Sequence, residues 1–95
     1  MLIQHKQTDG RGMFFIPGED DEKLAELIYS HQQPDTLIAE HTEVSGELQG
    51  QNIGFQLVNT LVEHARLHHF KIAPVCPFVK SVFDKKPDFQ DVLAQ

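Results

Sequence analysis

Cysteine occurs once in this chain, at Cys76, and its surroundings make that thiol worth weighing. It ends a short apolar run, residues 71–76 (KIAPVC), and is followed by Pro77 and a segment of helical spacing. A thiol near a helix amino terminus has its pKa lowered, and the thiolate is the nucleophilic form. In a blander setting a lone cysteine is a small buried hydrophobe. His41 and Glu43 lie two apart in residues 37–44 (LIAEHTEV). Strand alternation puts them on one face with Leu37 and Ala39, and Ile38, Glu40, Thr42 and Val44 on the other. Histidine titrates near neutrality, so His41, ahead of Glu43, is suited to take a proton from a reacting group. A structural histidine is the plainer alternative. The run Gln49-Gly50-Gln51-Asn52-Ile53-Gly54 stands where a strand gives way to a helix. The first N–H groups of a helix lack internal partners and carry partial positive charge, so such a turn can hold an anion. Gly50 permits the tight turn, Asn52 tolerates left-handed angles, and Gly54 lets a ligand or neighbour approach the backbone. No Gly-Lys-Ser/Thr follows and the G-x-G-x-x-G spacing fails, which excludes a Walker loop and a dinucleotide fingerprint. By spacing alone, a glycine-bearing turn before a helix is more often just a turn. His64 and His68, at i and i+4, could share a metal from one helix face. Only Glu63 or His69 stands near to complete the set, so a solvated histidine-rich face is the expectation and no metal is assigned.

The elements that must position these groups follow from period. Residues 12–16 (GMFFI) read as a strand ending at the turn Pro17-Gly18, with Glu19-Asp20-Asp21-Glu22 an acidic loop tip. Residues 24–30 (LAELIYS) fit either period, and Ile28 and Tyr29 favour strand. With residues 37–44 these strands form an antiparallel meander. Ile53, Leu57, Val58, Leu61, Val62 and Ala65 then mark an amphipathic helix to about His68, with Asn52 as its cap. Residues 71–76 read as a strand, residues 78–85 as a helix stopped by Pro87, and residues 88–93 as one last turn. Strand 37–44, the helix and strand 71–76 make a βαβ unit, whose strands are parallel. The fold class is α+β, an antiparallel sheet feeding a βαβ crossover, in a single domain spanning residues 1–95.

Composition bounds the function. The chain has 95 residues, 40% hydrophobic and 23% charged, with net charge −6. The acidic balance argues against a general nucleic-acid binder. No apolar run nears the ~20 residues a membrane span needs, and no secretory signal is visible, so a cytoplasmic protein is expected. The lone cysteine fits a reducing compartment. The first 48 residues carry three basic against ten acidic side chains, the remaining 47 five against four. The acidity therefore belongs to the first half, while the second keeps enough lysine to hold an anion.

Several motifs in order resemble a family. Leu48-Gln49-Gly50-Gln51-Asn52-Ile53-Gly54 before an apolar helix looks like the acetyl-CoA loop of GNAT-type N-acetyltransferases, Gln/Arg-x-x-Gly-x-Gly/Ala. Gln49 and Gly54 match, and Asn52 stands where glycine is usual. H-T-E-V at 41–44, P-V-C-P-F at 74–78 and K-K-P-D-F at 85–89 resemble the short single-domain branch of that superfamily. The resemblance implies a GNAT-like splayed sheet with acetyl-CoA wedged between strands 37–44 and 71–76. Backbone near Thr42 and Val44 would meet the pantetheine arm, and Gln49, Gly50, Gln51, Asn52, Ile53 and Gly54 the pyrophosphate. Pro77 and Phe78 would adjoin the cofactor, and Lys80 and Lys85 the adenosine phosphates, unless they are ordinary solvated lysines. Cys76, His41 and Glu43 are the candidates for catalysis. Cys76 would take the acetyl group and pass it on, or transfer would go directly to an amine with His41 as base. Two functions stand side by side: N-acetyl transfer from acetyl-CoA to a primary amine on a small molecule or protein, a cationic one suiting the acidic first half, or a CoA-binding module acting with a partner. A monomer or weak homodimer is expected.

Overall fold

The computed structural model describes residues 2–20 and 22–94. Asp21, in the acidic loop, lies outside the described residues. Five strands form one sheet in sequence order: β1 (Gln4–Thr8), β2 (Arg11–Pro17), β3 (Lys23–Gln32), β4 (Thr36–Val44) and β5 (Lys71–Pro74). The first four pair antiparallel, and β5 joins β4 in parallel after the crossover helix α1 (Ile53–His68). Helix α2 (Pro77–Lys85) and a 3₁₀ turn (Pro87–Val92) follow.

Alternation in β2 and β3 sends Phe14, Ile16, Ala25, Leu27 and Tyr29 to one face of the sheet. Helix α1 lays its stripe of Ile53, Leu57, Val58, Leu61, Val62 and Ala65 across β2–β5 on that face. Val79, Val82 and Phe83 of α2, with Phe89 and Val92, close the same core. Among the described residues no polar or charged side chain is buried. Among the described residues the opposite sheet face carries no helix, and Met13, Phe15, Ile28 and Ile38 there are half-buried.

Two differences from the sequence reading concern element limits. Strand β1 (QHKQT), which has no apolar residue to announce it, is largely exposed, with the His5 ring stacked on Phe14, and pairs with β2 through its backbone. Strand β5 ends at Pro74 rather than Cys76, because Val75 N–H turns back to Ala73 O at 3.0 Å. The final 3₁₀ turn is clasped by Arg66. Its guanidinium forks onto Asp91 at 2.9 and 3.0 Å and reaches Glu63 at 2.8 Å. That fork holds the Asp91 carboxyl below the usual carboxylate range.

Candidate active site

Strands β4 and β5 pair only from Thr36–Lys71 to Ala39–Pro74. The last backbone tie between the two segments among the described residues is Cys76 N–H to Ala39 O at 2.9 Å. Strand β4 runs five residues further, while the other chain turns away into α2, so the sheet opens into a cleft. A bulge in β4 shapes its wall. Ile28 faces His41 and Tyr29 faces Ala39, leaving Glu40 as the extra residue. One inserted residue reverses the phase of every side chain beyond it. Leu37 and Ala39 are buried, and past the bulge Thr42 and Val44 take over that face. His41 and Glu43 stand exposed on the other, so grouping them with Leu37 and Ala39 is corrected. The main chain reverses with them: Ser45 N–H donates to Leu24 O at 2.7 Å, toward β3. By alternation the polar groups of Thr42 and Val44 face the cleft. The Val44 carbonyl there already accepts the Gln49 side-chain amide at 3.3 Å.

At one end of the cleft a short 3₁₀ turn (Gly46–Leu48) leads into the loop before α1. Gly50 has φ +84° and Asn52 φ +61°, two left-handed residues that swing the chain into the helix. Asn52 is the N-cap residue, as its sequence position implies, but its side chain makes no capping hydrogen bond. Gln51 N–H turns back to Leu48 O. Among the described residues no protein acceptor meets the N–H groups of Gly50, Asn52, Ile53, Gly54 or Phe55. Five free amides at the positive end of a 16-residue helix form an anion cradle. Gly54 lies beneath the Phe78 ring, whose Cζ would be 2.7 Å from an added Cβ. The close approach that Gly54 allows is therefore to Phe78. Together with Thr42, Val44 and Phe55 these residues line a groove of about 360 Å³.

Cys76 is the N-cap residue of α2, just ahead of Pro77, and only 6% exposed. Its Sγ donates to Thr42 Oγ1 at 3.5 Å. Burial pushes the thiol pKa up. The Thr42 hydroxyl, with the backbone N–H groups of Val79, Phe78 and Thr42, outweighs burial and brings it below the ordinary thiol value. No side-chain capping hydrogen bond forms, so the α2 amides act through their field on the anion rather than through a closed cap. His41 Nε2 lies 4.0 Å from Glu43 Oε1, and Glu26 faces Glu43 directly across the strand pair. The ligand-capable atoms of these three side chains lie within 4.8 Å of one another. They share the helix-free face, opposite the face of Thr42, and no β5 backbone walls off the two faces along this stretch.

The lysines lie at different distances from the groove. Lys80 pairs with Asp84 at 3.6 Å, and Lys85 lies in the last turn of α2, away from the Phe78 end that meets the groove. Lys86, overlooked beside Lys85, has its Nζ 5.4 Å from the ring centre of Phe55, a groove residue. Glu26 also joins His41 and Glu43, through strand register that its position in the sequence does not show.

The sequence profile of the GCN5-related N-acetyl-transferase family matches residues 13–92. No curated protein matches the chain at a significant level. Among solved structures, a GCN5-like protein from Staphylococcus aureus, described as a candidate N-acetyltransferase, is 35% identical with TM-score 0.75. That match covers 96% of this chain and 87% of the other. Tetrahymena GCN5 shares the fold at 13% identity, TM-score 0.62, covering 82% of this chain and 51% of its own. A ribosomal-protein-alanine N-acetyltransferase from Brucella melitensis does so at 16% identity and TM-score 0.57, covering 94% and 67%.

Proposed function

Since the chain belongs to the GCN5-related N-acetyl-transferase family, we propose that it transfers acetyl from acetyl-CoA to a primary amine through Cys76. The observation that carries this is the cleft: free amides at residues 50–55 at one end, and a thiol biased toward its anion at the other. An extended thioester with a diphosphate matches that spread of chemistry. The amides of Gly50, Asn52, Ile53 and Gly54 would hold the diphosphate, flanked by Gln49 and Gln51. The cleft edge at Thr42 and the Val44 N–H would pair with the amides of the arm, and Phe78 would cover its apolar part. Lys86 is better placed than Lys80 or Lys85 for a further phosphate.

Chemically, the Cys76 thiolate attacks the thioester carbonyl. A new S–C bond forms as the bond to the CoA sulfur breaks, and CoA leaves as thiolate. A neutral amine then attacks the acetylated Cys76, forming the amide and releasing the Cys76 thiolate. His41 takes the proton the amine sheds, and Glu43 stabilises the resulting imidazolium. Glu43 and Glu26 on the open face favour a cationic acceptor arriving from that side.

The second reading is a CoA-binding module with little or no catalysis that acts with a partner. Acetyl-CoA turnover with polyamines, amino acids and lysine peptides separates the two. Turnover with an acetyl adduct on Cys76, both lost in Cys76→Ala, is expected. Full turnover in Cys76→Ala would refute the covalent route, and turnover with no amine would favour the module.

A further inference from the structure

The carboxyl-terminal end of α1, opposite the amide cradle, closes a second cavity of about 420 Å³ against the sheet. Four histidines from three elements line it: His5 of β1, His31 of β3, and His64 and His68 of α1. The other ionisable side chains in its wall are Tyr29 of β3 and Arg11 of β2, whose guanidinium pairs with Glu40 at 2.9 Å. Among the described residues no carboxylate lines the cavity, so protons added to these rings meet no counter-charge. We propose that the cluster is an acid-sensitive latch: as its rings gain protons, strand β1 comes away from the sheet while β2 to β5 stay paired.

The position of β1 makes it the part that yields. It is the edge strand, pairs only with β2, and exposes its side chains. Edge elements with few buried contacts open at lower cost than the core. What ties β1 to the layer beneath is the ring cluster. His5 stacks on Phe14 with ring centres 4.2 Å apart and lies 4.9 Å from His64, which is 4.5 Å from His68. Neutral rings pack favourably at these distances, whereas imidazolium ions there repel. Tyr29 O–H donates to Gln7 Oε1 at 3.2 Å, which leaves its oxygen to accept from His5 Nε2–H at 2.6 Å. An added proton on His5 therefore goes to Nδ1 and makes the ring a cation. The partial negative charge at the carboxyl end of α1 offsets part of one such charge, not several.

The titration runs the same way. Burial, then the charge of His68, lowers the His5 pKa. Burial, then the charges of His5, His68 and His31, lowers that of His64 to about 4. The closed cluster thus declines protons that freed imidazoles accept near 6.5. Stability from these rings is complete above about pH 6.5 and is lost as pH falls from there toward about 4.

Amide hydrogen exchange of the full chain, corrected for its intrinsic pH dependence, tests the latch. Between about pH 7.5 and 5, protection of the β1–β2 ladder should fall about tenfold more than that of the β3–β4 ladder. His64→Phe keeps a ring in the cavity and removes the central charge, and His5→Phe does so from β1. Each should suppress most of that selective loss, with melting at neutral pH verifying that the variant is folded. Protection of β1 that holds to about pH 5 would overturn the proposal. So would a uniform loss across the sheet, which is global acid unfolding. An unchanged selective loss in both folded variants would also overturn it, leaving the rings as packing alone.

Discussion

Two opposed influences act on the Cys76 thiol: burial disfavours its charge, and the Thr42 hydroxyl with the amides around it favours that charge and wins. Alkylation by iodoacetamide followed against pH should therefore show a midpoint below that of the same thiol in the unfolded chain. Thr42→Val, which removes only the hydroxyl, should move the midpoint up. A midpoint at or above the unfolded value would contradict this. His41 makes a sharper demand, because as a proton acceptor it matters to the rate and not to the hold on acetyl-CoA. His41→Gln should cut kcat by about 10²–10⁴-fold with unchanged acetyl-CoA affinity. Unchanged turnover would leave it a surface histidine.

At the scale of elements, α1 carries the core. Leu57 is fully buried and Leu67, on the same helix, is 75% exposed. Leu57→Ala should cost about 2–5 kcal/mol in denaturant unfolding, and Leu67→Ala close to nothing. Equal effects would contradict the assigned helix face. Helix α1 and strands β2 and β4 are legible in the sequence because apolar side chains mark their periods, and β3, whose residues 24–30 fit either period, because Ile28 and Tyr29 favour strand. Strand β1 is not, because Gln4–Thr8 offers no apolar side chain and pairs through its backbone. The loop before α1 is legible as a turn, through Gly50 and Asn52. Its free first-turn amides are legible too, since any helix start leaves N–H groups without partners, but that Asn52 withholds its side-chain cap is not. The least visible feature is the bulge at Glu40. No residue type announces it, yet it turns His41 and Glu43 away from the face of Leu37 and Ala39 and brings Thr42, the side chain that meets Cys76, onto it.

The whole molecule is a cofactor-sized domain with unequal charge. Its acidic first half supplies the open sheet face with Glu26 and Glu43, and its second half supplies the amide cradle and Lys86. If the open face draws a cationic acceptor, raising ionic strength should increase its KM several-fold and barely change that of a neutral amine. Equal salt dependence would remove those carboxylates from acceptor recognition. The central claim is that acetyl-CoA is held by the amides at residues 50–55. Calorimetric titration of the wild type and of Asn52→Asp with acetyl-CoA tests it most directly. Aspartate tolerates the left-handed angle and puts a negative charge into the cradle. The account predicts one saturable site in the wild type, at least tenfold weaker in Asn52→Asp, with the ligand-free Tm little changed. No saturable binding to the wild type, or equal affinity in the variant, would contradict it.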